Sequence, residues 1–181
     1  MTSPFLEVIS GKIHESKLNV LRFNFPYTVK KQKIPDSQKK LEDAWLAAIE
    51  WAQQNVEFSR LFIGGKSLGA RIASMIADRV KKLDGLVFLG YPLHPPGKFQ
   101  DRRDAHLFKI STPMLFIQGE RDAFARKDLI EETVDLLASF ATLRFIEQGD
   151  HSFQSPRSMA VSYEAVLENA ANLVLNWIES V

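Results

Sequence analysis

The sequence of 181 residues contains no cysteine, and this absence excludes several kinds of chemistry at once. Without a thiol there is no disulfide, no cysteine nucleophile and no cysteine-ligated metal site. A chain without cysteine suits a reducing compartment, and we predict a cytoplasmic location. Residues 1–7 also lack the basic region and apolar core that open a signal peptide.

Strong net charge and long apolar runs are also missing. The formal net charge is +1, so no overall field attracts the chain to nucleic acid or to acidic membranes. The lysines within residues 30–40 have no aromatic residues between them, and we interpret them as a solvated loop beside a helix start. No apolar run approaches the roughly 20 residues of a membrane span. We therefore predict that the protein binds neither nucleic acid nor membrane.

The four histidines do not show the spacing of metal ligands. No H-E-x-x-H pattern or similar cluster is present. We interpret His94 as a loop residue and His106 as a residue on a helix surface. The sequence therefore predicts no metal and no cofactor.

Short apolar segments alternate with segments of helical periodicity along the chain. Predicted strands cover residues 18–23, 61–64, 86–89, 114–117 and 143–146. Predicted helices cover residues 4–11, 68–80, 105–109, 127–140 and 162–178, and a further helix starts at Asp36 or Ser37. Several strands are apolar throughout, which is typical of strands buried on both faces of a parallel sheet between two helical layers. We predict one α/β domain over residues 1–181.

Residues 65–69, Gly-Lys-Ser-Leu-Gly, form the most informative motif. An apolar strand leads into this Gly-x-Ser-x-Gly pattern and a helical pattern follows it at once, which is the context of a nucleophile elbow. Small residues at such a junction can also serve packing alone. A phosphate-binding loop would need glycine where Arg60 stands, so we reject that interpretation. Ser67 is therefore the predicted nucleophile, with the backbone N–H of Leu68 as an oxyanion donor.

Polar residues follow two later strands of the predicted sheet. Asp122 comes after the strand at 114–117, and His151 comes after the strand at 143–146. The chain order Ser67, Asp122, His151 is that of an α/β-hydrolase triad. Glu120 and Asp150 are close alternatives to Asp122, and His151 alone could be an ordinary loop histidine.

Each residue type suits its predicted role. A serine hydroxyl is a weak nucleophile that needs a base to take its proton. The imidazole of His151 can accept that proton and return it to the leaving group. Asp122 would hold the imidazole in one tautomer and stabilise the imidazolium.

Five stretches resemble a family of small α/β-hydrolases near the dienelactone hydrolases, the bacterial relatives of testis-expressed protein thirty and of subunit three of the NSL chromatin complex. The matching stretches are 22–27 (Arg-Phe-Asn-Phe-Pro-Tyr), 64–71 (Gly-Gly-Lys-Ser-Leu-Gly-Ala-Arg), 89–98 (Leu-Gly-Tyr-Pro-Leu-His-Pro-Pro-Gly-Lys), 118–122 (Gln-Gly-Glu-Arg-Asp) and 149–153 (Gly-Asp-His-Ser-Phe). The resemblance implies an α/β-hydrolase fold with Ser67, Asp122 and His151 as the triad. It implies no substrate, since most of these relatives are only predicted hydrolases.

One departure from this family concerns the N-terminus. Its members begin with further strands and a His-Gly-Ala-Gly-type loop that supplies the second oxyanion N–H, ahead of the segment that resembles Ser3-Pro4-Phe5. We therefore expect an N-terminally shortened domain with a gap between the strands at 18–23 and 61–64. Alternatively these two strands pair directly, or a partner chain fills the gap, as in a homodimer.

These observations predict a serine hydrolase that cleaves a small ester or a related acyl compound. Tyr27, Tyr91, Leu93 and Phe124 lie on predicted loops, where they could line an acyl pocket or could only pack the loops. The alternative is a catalytically impaired or non-catalytic interaction domain, which the missing loop and the resemblance to a chromatin-complex subunit favour.

Overall fold

The computed structural model describes residues 4–181 and contains one parallel sheet of four strands. The strands are β1 (Phe62–Lys66), β2 (Gly85–Leu89), β3 (Met114–Gly119) and β4 (Ala141–Ile146). They lie side by side in chain order, with parallel pairing between each neighbouring pair. All four strands therefore end at the same edge of the sheet, where the loops that follow them meet.

Helices cover both faces of this sheet. They are α1 (Pro4–Glu15), α2 (Pro26–Val29), α3 (Gln38–Asn55), α4 (Leu68–Met75), α5 (Lys127–Leu137) and α6 (Tyr163–Ser180). Single 3₁₀ turns cover Ala77–Arg79, Leu107–Lys109 and Ala138–Phe140. The predicted helix at 68–80 thus ends at Met75, and the last turn of the predicted helix at 127–140 is 3₁₀. The N-cap residues of α3 and α6 are Ser37 and Ser162, and residues 1–3 lie outside the described residues.

Successive strand residues point into two separate apolar cores. On one face, Leu86, Phe88 and Phe116 pack with residues of α3, α4 and α5. On the other, Val87 and Leu115 pack with residues of α1 and α6. Every residue of β2 and β3 is buried, as expected for strands covered on both faces. The predicted parallel sheet between two helical layers is confirmed.

The predicted strand at 18–23 is wrong. Residues 18–25 form no regular element, and Leu18, Val20 and Leu21 are exposed. A β-strand is stable only beside a partner that takes up its backbone hydrogen bonds, and this segment pairs with no described strand. The direct pairing with β1 that we considered is therefore absent.

The N-terminal side of the sheet ends at β1. Among residues 4–181 this strand pairs only with β2, so the described sheet is continuous and β1 is its edge. The expected gap between two strands does not occur, because none of the residues 4–181 forms a strand beyond β1. None of the helices formed by residues 4–181 combines the length and the apolar character needed to cross a bilayer.

Candidate active site

Ser67 stands at a sharp corner between β1 and α4. Its φ of 52° and ψ of −115° are strained for a residue with a side chain, at a cost of about 1–3 kcal/mol. The corner is tight at Gly65, where a Cβ would lie 2.9 Å from the carbonyl carbon of Gly69. A Cβ at Gly69 would meet nothing within 4 Å, so only the first glycine is required for close approach. The strand, turn and helix predicted for a nucleophile elbow are all present.

A chain of hydrogen bonds runs from Ser67 through His151 to Asp122. Ser67 Oγ lies 2.8 Å from His151 Nε2, and His151 Nδ1 lies 2.7 Å from Asp122 Oδ2. The three residues follow β1, β4 and β3, so the common edge of the parallel sheet brings them together. A carboxylate at Nδ1 leaves Nε2 free to accept a proton from the serine hydroxyl.

Asp122 is buried and held by several donors. Its side chain has no exposed surface. Oδ1 accepts the backbone N–H of Phe124 at 2.7 Å, and Oδ2 accepts the side-chain amide of Gln118 as well as the imidazole. These bonds fix the carboxylate against His151, so the imidazole has one orientation.

The two alternative carboxylates contact other groups. Glu120 binds Lys127 at 2.9 Å and accepts the backbone N–H of Gln148. These two interactions, the Gln148 N–H foremost, hold the pKa of Glu120 below its usual range. Asp150 accepts the backbone N–H groups of residues 152 and 154 and so shapes the turn that carries His151. Of the three candidates, the geometry joins Asp122 to the histidine.

Leu68 occupies the first position of α4, directly after Ser67. The first N–H groups of a helix have no partner within the helix and carry its partial positive charge. The Leu68 N–H is therefore available to an anionic oxygen that forms beside the serine.

Two polar residues of the site were not predicted from the sequence. Gln118, fully buried, joins two loops, since its Oε1 accepts the Tyr91 N–H at 2.9 Å while its amide binds Asp122. Lys66 donates to the backbone oxygen of His151 at 3.2 Å, and burial lowers the pKa of its amine. In the sequence, Gln118 is a polar residue that directly follows the apolar run of residues 114–117, and this position could have indicated its role.

Phe124 is the predicted substrate-contacting residue that the structure brings to the site. Its ring centroid lies 4.4 Å from that of His151. Tyr27 lies on α2 with its ring stacked on Phe25. Tyr91 and Leu93 are fully buried, so they do not line an accessible pocket and instead support the loop after β2. Both lie on the predicted loop, where Arg103 contacts the Tyr91 hydroxyl and the Leu93 carbonyl oxygen.

His94 lies in a loop, as predicted, whereas His106 lies in the turn before the 3₁₀ turn at Leu107–Lys109 and not on a helix surface. His94 is fully buried; its Nε2 accepts the Arg126 N–H at 2.9 Å and its Nδ1 lies 2.9 Å from the Pro95 carbonyl oxygen. His106 is half-buried, with Nε2 2.8 Å from Ser74 Oγ. Ser74 is only 3% exposed, so this second serine–histidine contact is structural. Residues 4–181 contain no group of three His, Asp or Glu side chains able to hold a metal ion.

The free energy of unfolding is expected to decrease as the pH falls below about 6.5 because of His106. Burial, and then the positive charge of Arg71, lower the pKa of His106 in the folded protein. Just below pH 6.5 the unfolded state therefore binds more protons than the folded state. The contribution of neutral His106 to the free energy of unfolding is complete above the pKa of the unfolded state and is lost as the pH falls through the pKa of the folded state.

Urea unfolding at about pH 7.5 and 5.5 measures this change in the free energy of unfolding. The variant His106→Gln should show a smaller difference between the two values, and an equal difference would contradict this assignment.

Known proteins share this fold. A model of the alpha/beta hydrolase domain matches residues 1–179. An alpha-beta serine hydrolase homologue from Coxiella burnetii superposes with a TM-score of 0.72 at 19% identity, over 95% of this chain and 74% of its own. A lidless α/β serine hydrolase from Xanthomonas campestris gives 0.71 at 20% identity (96% and 73%), and an esterase domain from Rhodothermus marinus gives 0.71 at 13% identity (96% and 79%).

Proposed function

Since the chain belongs to the alpha/beta hydrolase domain family, we propose that it is a serine hydrolase that cleaves a small carboxylic ester through Ser67, His151 and Asp122. The hydrogen-bond chain from Ser67 Oγ to Asp122 carries this proposal, because it couples the hydroxyl at the elbow to a base and the base to a buried carboxylate. The structural neighbours include two serine hydrolase relatives and an esterase domain, which supports the same reaction class.

Acylation begins with attack of Ser67 Oγ on the ester carbonyl carbon. As the new C–O bond forms, the hydroxyl proton passes to His151 Nε2 and the carbonyl oxygen becomes an oxyanion. The Leu68 N–H donates to that oxygen, with the field of the α4 N-terminus behind it. The imidazolium is stabilised by Asp122, and it gives its proton to the departing alcohol as the ester C–O bond breaks.

Deacylation uses the same groups with water in place of the alcohol. His151 Nε2 takes a proton from water, whose oxygen attacks the acyl-serine carbonyl carbon, and the proton returns to Ser67 Oγ as the acid leaves. The side chain of His151 is 19% exposed and Ser67 is partly exposed, so a small ester can approach the nucleophile from solvent.

A fluorophosphonate probe tests the activated serine directly. Intact-mass analysis of the full chain is expected to show one adduct, and both Ser67→Ala and His151→Ala should abolish it because one removes the nucleophile and the other its base. Ser158→Ala is the matched control at an exposed serine, and it should keep the adduct.

Absence of an adduct on folded wild-type protein would overturn the hydrolase proposal. It would favour the non-catalytic interaction domain, which the edge of β1, unpaired among residues 4–181, also favours. An adduct that survives Ser67→Ala would instead assign the reactive group to another residue. The finer resemblance to the testis-expressed protein thirty family, a cytoplasmic location and a homodimer remain predictions.

A further inference from the structure

Helix α4, which begins directly after Ser67, carries the guanidinium group of Arg71. Arg71 lies one helical turn after Ser67, and its backbone N–H donates to the Ser67 carbonyl oxygen at 3.1 Å. Ser74 lies on the same face, since its hydroxyl donates to the Arg71 carbonyl oxygen at 2.7 Å. Residues four positions apart lie on one side of a helix, so the Arg71 side chain leaves α4 on the side of Ser67.

The loop after β2 brings a second guanidinium group to this face. Ser74 Oγ lies 2.8 Å from His106 Nε2, which lies 3.5 Å from the Tyr91 hydroxyl. That hydroxyl donates to the carbonyl oxygen of Arg103 at 2.7 Å. A short chain of polar contacts thus joins the segment of Arg71 to the segment of Arg103. The proximity of their charges is consistent with a lowered pKa of Arg103, caused by burial and then by Arg71.

Neither guanidinium has a carboxylate partner within residues 4–181. All ion pairs of the described residues involve other side chains. Asp104, which follows Arg103 directly, is bound to Arg102 at 2.7 Å, and Arg102 also binds Glu132. The Nε atom of Arg71 is shielded from solvent and contacts no acceptor in the part of the chain that the structure describes.

Asp101 attracts Arg103 without forming an ion pair with it. Two partly buried like charges without a directly bound carboxylate are unfavourable unless an anion joins them. Their planar forks suit a carboxylate or a phosphate, which accept paired N–H bonds. Building on the proposed hydrolase, we infer that the ester substrate carries an anionic group, on its acyl or its alcohol part, which Arg71 and Arg103 bind beside Ser67.

Matched pairs of esters that differ by one carboxylate test this inference. The pairs are mono-4-nitrophenyl glutarate with 4-nitrophenyl valerate, for an anionic acyl part, and 4-carboxyphenyl acetate with phenyl acetate, for an anionic alcohol part. In one pair, kcat/KM for the anionic ester should exceed that for the neutral one by about 10- to 100-fold. Arg71→Gln and Arg103→Gln should each reduce this ratio by about tenfold or more.

Two further variants separate charge recognition from general damage. Arg71→Lys should retain part of the preference, since it keeps the charge and loses only the fork. Arg157→Gln removes the same charge from an exposed position and should leave the ratio as in the wild type. Inhibition of neutral-ester hydrolysis by inorganic phosphate or by glutarate then distinguishes a phosphate from a carboxylate.

The outcomes also separate this inference from the proposed function. Hydrolysis of the neutral esters with no preference in either pair, or with a preference insensitive to both arginine variants, overturns the anion site and leaves the hydrolase intact. If no ester is hydrolysed and the fluorophosphonate probe does not label Ser67, the hydrolase proposal fails and the anion site fails with it.

Discussion

Asp122→Asn is expected to lower kcat for hydrolysis of a short 4-nitrophenyl ester by about 10⁴-fold. The buried carboxylate accepts the Nδ1–H of His151 and so keeps Nε2 free to take the proton of Ser67. An asparagine can instead present its NH₂ to Nδ1, which favours the tautomer with the proton on Nε2 and removes the base. Steady-state kinetics measure the loss, with circular dichroism to verify the fold.

Glu120→Gln is the matched control, because it makes the same carboxylate-to-amide change two residues away. Glu120 contacts Lys127 and the Gln148 N–H and does not contact the histidine. This variant should retain kcat within about threefold. A loss of less than about tenfold in Asp122→Asn, or equal losses in the two variants, would show that Asp122 does not orient the base.

Gly119→Ala is expected to lower the free energy of unfolding by about 3 kcal/mol or more. Gly119 ends β3 and is buried against the turn that carries His151. An added Cβ would lie 2.7 Å from the carbonyl carbon of Gly149 and would overlap the backbone oxygens of Gly149 and Asp150. Backbone atoms cannot rotate away as a side chain can, so the whole turn has to move. Thermal unfolding should show a midpoint lower by roughly 6–12 °C.

A glycine-to-alanine substitution at Gly11 should instead raise the free energy of unfolding. Gly11 is exposed within α1, and a Cβ there meets nothing within 4 Å. Alanine in a helix interior is favoured over glycine by about 1 kcal/mol, so Gly11→Ala should raise the midpoint slightly. A Gly119→Ala variant as stable as the wild type would show that the turn holding His151 adjusts freely.

Much of the fold was predictable because its main signal is local. Strands β2 and β3 are apolar at nearly every position, since both of their faces are covered, and such runs indicate a parallel sheet directly. The positions of Ser67, Asp122 and His151 followed from the same signal, because each comes a few residues after a predicted strand. Their mutual contacts could only be proposed, and the choice among three carboxylates depended on the structure.

The wrong predictions concern features that depend on distant parts of the chain. Residues 18–23 have the composition of a strand, yet they pair with no described strand, because composition alone does not determine pairing. Tyr91 and Leu93 are fully buried and contact Arg103, which comes later in the chain, and no local pattern in the sequence indicates that contact. Gln118 contacts Asp122 and Tyr91 through bonds that only the assembled sheet edge creates.

Ser67 and His151 are 84 positions apart in the chain, and His151 and Asp122 are 29 apart. The three residues follow three different strands. Their hydrogen bonds can therefore form only once β1, β3 and β4 lie in one sheet. Contacts of such long sequence separation form late, because closing long loops costs entropy before the contacts repay it. The rate at which covalent labelling of Ser67 returns during refolding would therefore report completion of the sheet. Helix formation, followed by circular dichroism, should appear earlier.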